Sequence, residues 1–384
     1  MNFEFTAAAR IIFGPGASRE IGPLAKTLGR RAFVVTGKSL ERSLPFLDAL
    51  ESNHIACVSF HVPHEPTTKL VTAGTELAQT EQCDLVIAIG GGSVLDAAKA
   101  IAAIASNGGE VTDYLEVVGQ GKNLHRPALP WIALPTTSGT GAEVTRNAVL
   151  ASPEHRLKAS LRSPFLVARA ALVDPELTHD LPPALTASTG LDALTQLIEP
   201  YVSHRANPMT DGFCVEGLRR GARSLRRAFE DGRDPNARED MSLASLLSGL
   251  ALANAGLGAV HGFAAAIGGM FPAPHGAVCA ALLPRVMEMN VRALRERDPQ
   301  NAALRRFDEI ARLVTGKAAA EAAEAIYWIR SLCAALQVSS LRAYGIAPEH
   351  FPELIEKTAK ASSTKNNPIV LSPTELQEIL TAVV

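Results

Sequence analysis

Hydrophobic and polar positions along the chain fall into two textures. In the first, short apolar runs alternate with amphipathic stretches. The runs RAFVVT (31–36), IACVSF (55–60), DLVIAI (84–89) and WIAL (131–134) are nearly continuous in apolar residues, the pattern of strands covered on both faces. Between them, 46–52, 70–80 and 93–106 carry helical spacing. This alternation predicts an α/β fold with a Rossmann-like parallel sheet flanked by helices. Beyond Asp174-Pro175 strand-like runs become rare, and helices are predicted over 184–202, 209–229, 240–255, 260–271, 278–290, 302–315 and 318–336. The change places a boundary in PELTHDLPP (175–183). An α/β domain is expected over 1–178 and an all-α domain over 179–384. A length of 384 residues agrees with two cores.

Composition narrows the partners. The chain is 47% hydrophobic and 20% charged with a formal net charge of −2, and no basic block interrupts the mixture. That argues for a foldable protein and against nucleic acid or an anionic membrane. The N-terminus lacks a basic segment followed by a long apolar run, and no stretch of about 18 apolar residues suggests a membrane span. The five cysteines are odd in number and form no CxxC pair. Free thiols in a reducing cytoplasm are the expectation.

Two loops suggest a nucleotide. DLVIAIGGGS (84–93) reads as strand, tight glycine turn and helix start, in which glycines admit close backbone approach and the helix N-terminus offers free N–H groups to a phosphate. Ser93 is a cap or a phosphate donor. The segment is not a GxGxxG fingerprint, and an ordinary strand-to-helix turn reads the same way. The second loop, LPTTSGTGAEVT (134–145), puts four hydroxyl residues (Thr136, Thr137, Ser138, Thr140) and two glycines directly after a strand. A solvated loop has this composition too, but together the loops favour a nucleotide site.

A second chemistry lies in the helical half. In GLDALTQLIEPYVS (190–203), Asp192, Gln196 and Glu199 fall at i, i+4 and i+7 on one helical face in an apolar stretch. A buried acid needs a donor or a metal. His261 sits in a very apolar helix, and His275 follows Pro274 at the start of the next. One carboxylate and two imidazoles suit an open catalytic metal site, although each residue alone also suits a hydrogen-bonded core.

At these residues the chain resembles the iron-containing, group III, metal-dependent alcohol dehydrogenase family of the dehydroquinate synthase-like superfamily. The resemblance runs through IIFGPGA (11–17), GGGSVLDAAKA (90–100), LPTTSGTGAEVT (134–145), VDPEL (173–177), GLDALTQLIEPYVS (190–203), NAGLGAVHG (254–262) and PHGAVCAALLP (274–284). It implies a nucleotide-binding α/β domain, a helical domain and a site in the cleft between them. It implies that Gly91, Gly92 and Ser93 hold the cofactor pyrophosphate, that Thr136, Thr137, Thr140 and Lys158 contact the cofactor, and that Asp192, His261 and His275 bind metal. The implied reaction is hydride transfer between NAD or NADP and a small alcohol or aldehyde, the metal acting as a Lewis acid. A homodimer is the family-level expectation, with an edge strand near residues 3–13.

The chain departs from the pattern in four places. Gln196 stands where most iron-type members have His, so it is expected as a weak fourth ligand or as a hydrogen bonder behind the metal, with iron and zinc both open. Ala265 replaces a His near the nicotinamide, which sends the proton to water. Gly37, followed by Lys38 and Ser39, replaces an Asp that would bind the adenine ribose and repel a 2′-phosphate, so NADP should be tolerated. Glu65 replaces a common Asn, with no reading attached. An alternative is a maleylacetate-reductase-like enzyme that needs no metal, for which Arg146, Arg162 and Lys365 are candidate carboxylate partners. A nucleotide-binding protein without catalysis and a dehydroquinate-synthase-like cyclisation are more distant alternatives. Phe263, Met270 and Phe271 suggest a small or partly apolar alcohol and are equally suited to the core.

Overall fold

The structure, a computed structural model, describes residues 2–384. It divides into two compact units, one comprising Thr6–Thr137 with Gly141–Thr178, the other His179–Val384 with Ser138–Thr140 and the first few residues. In the first unit the chain runs β1 (Ile11–Phe13), α1 (Ile21–Lys26), β2 (Arg31–Thr36), α2 (Leu44–Ser52), β3 (Ala56–His61), α3 (Thr68–Thr80), β4 (Leu85–Gly90), α4 (Gly92–Asn107), β5 (Trp131–Pro135), β6 (Asn147–Ser152), β7 (Leu157–Arg162) and β8 (Ala170–Val173). Six strands form one parallel sheet in the order β1-β8-β5-β4-β2-β3. The apolar runs are explained by burial. Every residue of β4, β5 and β8 is buried, whereas the edge strands β1 and β3 are only partly so.

Register brings three loops together. The chain leaves β2 for β3 on one side and returns to β4 on the other, so the strand order reverses between β2 and β4. Thr36 pairs with Ile89, and Gly90 with Pro135. The segments starting at Gly37, Gly91 and Thr136 therefore leave the carboxyl ends of three adjacent strands, the place where open α/β sheets bind ligands. The hairpin β6–β7 forms a separate antiparallel sheet. It escaped the sequence reading because Asn147, Ser152, Lys158 and Ser160 break its apolar run. β8 escaped because four residues, AALV, carry no period. The edge strand expected near residues 3–13 is confined to Ile11–Phe13.

α4 lies on the sheet through small residues: Ala97, Ala98, Ala100, Ala102 and Ala103 are fully buried. Its one buried cation ties it to the threonine loop. Lys99 Nζ donates to Thr145 Oγ1 (2.7 Å), to the Asn147 carbonyl (2.8 Å) and to Asp96 Oδ1 (3.2 Å). Asp96 Oδ2 in turn accepts the Val149 N–H (3.0 Å).

The second unit is helical: α5 (Pro183–Val202), α6 (Pro208–Glu230), α7 (Pro235–Ala255), α8 (Ala259–Met270), α9 (His275–Arg297), α10 (Ala302–Thr315), α11 (Ala322–Ala335), α12 (Phe351–Lys360) and α13 (Pro373–Val383). α5 is central, packing against α6, α7 and α9, and fifteen of its residues are buried. Local chemistry sets the ends. Asn207 and Thr210 make a capping box before α6, with Pro208 at its first turn. Ser372 and Glu375 do the same for α13. Among the described residues no single helix is long and apolar enough to cross a membrane.

Replacing Lys99 by Met should leave Asp96 buried without its cation and cost about 3–5 kcal/mol of unfolding free energy. Urea denaturation of the variant checks this, and pairing it with Asp96→Asn should recover most of the loss. A change below about 0.5 kcal/mol in the single variant would contradict an anchoring role.

Candidate metal centre and cofactor turn

Three helices of the second unit deliver ligand atoms to one point. α5 contributes Asp192, α8 contributes His261, and α9 contributes His275 and, one turn on, Cys279. One ligand atom from each of the four lies within 4.8 Å of the others. Asp192 Oδ1 stands 3.4 Å from His261 Nε2 and 3.7 Å from His275 Nε2. It is buried and has no hydrogen-bond partner. An orphaned carboxylate oxygen facing two imidazole nitrogens and a thiol fits a divalent transition metal. Asp192 and His261 are almost wholly buried, whereas 34% of the His275 side chain is exposed, which leaves that side open.

Surrounding groups fix these atoms. Gln196 Nε2 donates to Asp192 Oδ2 (2.8 Å), and its own Oε1 accepts from Ser248 Oγ (3.3 Å). Of the two roles expected for Gln196, this geometry is that of a hydrogen bonder behind Asp192. Glu199, the third residue on that face, accepts the Val260 N–H on Oε1 (2.7 Å) and contacts His261 Nδ1 through Oε2 (2.6 Å). With a carboxylate at Nδ1 that nitrogen carries a proton, and the ring is held with Nε2 toward Asp192. Position 258, just before α8, admits no side chain: a Cβ on Gly258 would stand 2.8 Å from Glu199 Oε1 and 2.9 Å from Asn367 Oδ1.

The charges in the cluster shift one another. Burial pushes Asp192 up, but His275, His261 and the Gln196 amide outweigh it and hold the carboxyl below its ordinary value. Burial pulls His261 down, and Cys279, Glu199 and Asp192 together still hold it well above the ordinary imidazole range. Burial pushes the Cys279 thiol up to about 12, with His261 opposing.

In the first unit the glycine turn is open for an anion. Gly91 is the N-cap of α4 in extended conformation, and no side chain caps the helix. Ser93 is therefore not the cap, since the helix begins one residue before it. A Cβ on Gly90 would meet Val94 at 2.5 Å, and one on Gly91 would meet the Thr137 side chain at 3.2–3.3 Å. Gly90 and Gly91 are thus crowded against side chains, and a helix start of this kind offers its first N–H groups to an anion. Thr136, Thr137 and Thr140 are half-buried in their loop. Gly37 follows β2 with only Val94 near its missing Cβ, at 3.7 Å, and Lys38 and Ser39 are exposed. Lys158, on β7, is buried and ion-paired with Glu65, which gives Glu65 the role that the sequence did not supply.

Other candidates are placed elsewhere. Arg162 pairs with Glu116, and Phe263 is a fully buried member of the helical core rather than a substrate wall. Cys279 was missed. Its only signal was a spacing of four from His275, which one helical face requires but which any buried cysteine also satisfies.

Two family models match the chain: Iron-containing alcohol dehydrogenase over residues 8–175, and Fe-containing alcohol dehydrogenase family, C-terminal, over residues 186–384. Alcohol dehydrogenase 4 of Saccharomyces cerevisiae is 36% identical over 376 residues, spanning 96% of this chain and 95% of the yeast protein. A crystal structure of 1,3-propanediol oxidoreductase superposes with a TM-score of 0.92 at 33% identity, covering all of both chains. Sulfoacetaldehyde reductase from Bifidobacterium kashiwanohense, solved with NAD+, gives 0.85 at 28% identity over 100% of this chain and 99% of that one. The chain belongs to the iron-containing alcohol dehydrogenase family, oxidoreductases that act on CH–OH groups with a nicotinamide cofactor and a metal.

Glu199→Gln keeps the shape of the His261 support and removes its charge. Metal affinity, measured by competition with a chromophoric chelator, should fall about 10- to 100-fold. Unchanged affinity would show that Glu199 serves the helix start alone.

Proposed function

We propose that the chain is a metal-dependent, NAD(P)-linked alcohol dehydrogenase and aldehyde reductase for a small alcohol or its carbonyl partner, with Asp192, His261 and His275 holding the metal. The observation that carries this reading is the convergence of those three side chains beside the unpaired Asp192 Oδ1. When bound, the divalent ion supplies a Lewis acid for the substrate oxygen and the nicotinamide supplies the hydride carrier.

The chain's own residues orient and exclude. Glu199 keeps the His261 ring turned with Nε2 forward, and Gln196 keeps Asp192 from rotating. Burial of Asp192 and His261 keeps water from competing at their ligand atoms, and the exposed side of His275 is where the substrate oxygen approaches. Ala265, one turn after His261, carries no exchangeable proton, so the alcohol proton passes to water. Gly91 and Gly92 receive the pyrophosphate on backbone N–H groups, with Ser93 donating its hydroxyl. Thr136, Thr137, Thr140 and Lys158 contact the remainder of the cofactor. Gly37, Lys38 and Ser39 meet the adenine ribose, where the lack of an acid admits a 2′-phosphate.

Stripping the protein with a chelator should abolish NAD(P)-linked oxidation of short alcohols, and one added divalent metal should restore it. Activity indifferent to stripping would instead favour metal-free reduction of a carbon–carbon double bond. Gly37→Asp, for which there is room, should lower the preference for NADP over NAD by about tenfold or more, the effect of ~1.4 kcal/mol of charge repulsion. Equal kcat/KM ratios before and after the change would place the ribose elsewhere.

A further inference from the structure

We propose that Cys279, as a thiolate, is the fourth protein ligand of the metal and directs the site to zinc rather than ferrous iron, an inference that rests on the Asp192–His261–His275 reading above. α9 sets His275 and Cys279 four residues apart, so both project from one face. Cys279 Sγ lies 3.7 Å from His275 Nε2 and 3.9 Å from His261 Nε2. A tetrahedral zinc with ordinary bond lengths separates two nitrogen or oxygen ligands by about 3.3 Å and a nitrogen from a sulfur by about 3.6 Å. The four separations here, 3.4, 3.7, 3.7 and 3.9 Å, lie within a few tenths of those edges. Four of the six edges of a zinc tetrahedron are thus nearly in place, and the remaining two pairs lie within 4.8 Å.

Gln196 does not compete for the place. Its amide nitrogen donates to Asp192 Oδ2 and its oxygen lies against Ser248 Oγ, 3.3 Å away. The thiol is wholly buried and is not placed to react with solvent. The unpaired Asp192 Oδ1 independently marks the same point. In forming the sulfur–metal bond the S–H bond breaks and its proton leaves to solvent, with no change in oxidation state. Asp192 and the thiolate together balance the two charges of the ion in a buried setting. A carboxylate, two imidazoles and a thiolate in tetrahedral array suit zinc, whose expansion to five ligands still admits the substrate oxygen.

Cobalt(II) reports the ligand directly. The stripped full-length protein loaded with cobalt(II) should show a thiolate-to-cobalt charge-transfer band in the near ultraviolet with the strong visible absorption of a tetrahedral ion. Cys279→Ala should lose that band and bind zinc at least about tenfold more weakly in chelator competition, the scale of one lost ligand interaction. One cobalt per chain without the band would remove Cys279 from the site and leave the three-residue metal reading intact. A band that survives in Cys279→Ala would come from another thiol and would equally overturn the proposal. No cobalt or zinc retained by the unsubstituted protein would overturn both readings.

Discussion

The helical unit is arranged around a carboxylate buried among apolar side chains. Asp192 sits in the middle of α5, 2% exposed, where an ion without compensation is expensive. One of its oxygens is satisfied by Gln196, which is itself held by Ser248. The other is left facing His261 and His275. Much of the local sequence follows from that oxygen. Glu199 holds the His261 ring through Nδ1, Gly258 leaves space for Glu199, and Asn367 accepts the Ala259 N–H that starts α8 (3.1 Å).

The glycine turn of the first unit is built by the opposite means. It offers backbone rather than side chains, at a helix start kept bare because the atoms of Val94 and Thr137 occupy the space of a Cβ. The unit's buried ion pair, Lys99 with Asp96, fastens α4 to the end of the threonine loop. The same physics of buried charge thus appears twice. In one unit the charge is fully partnered and the result is rigidity. In the other it is left one partner short, beside two imidazoles and a thiol.

What could be read from the sequence divides along physical lines. The buried strands of the sheet and the long helices were visible because their burial imposes continuous or periodic apolar runs. The hairpin β6–β7 and the short β8 were not, since one alternates polar residues and the other is too brief to show a period. α12 and α13 were not predicted, being short amphipathic helices marked mainly by Pro352 and Pro373 at their starts. For the site, Asp192, Gln196 and Glu199 were legible as one face because 3.6-residue periodicity fixes it. That Gln196 turns its amide to Asp192, and that Cys279 joins His275 and His261, depends on the packing of three helices, which spacing along one chain does not encode.

Diffraction from crystals grown with zinc, recorded on both sides of the zinc absorption edge, tests the metal centre most directly. A single anomalous peak per chain within bonding distance of Asp192 Oδ1, His261 Nε2 and His275 Nε2 is the expected result. A zinc ion bound only elsewhere, with those three side chains keeping their present hydrogen bonds and no density between them, would contradict it.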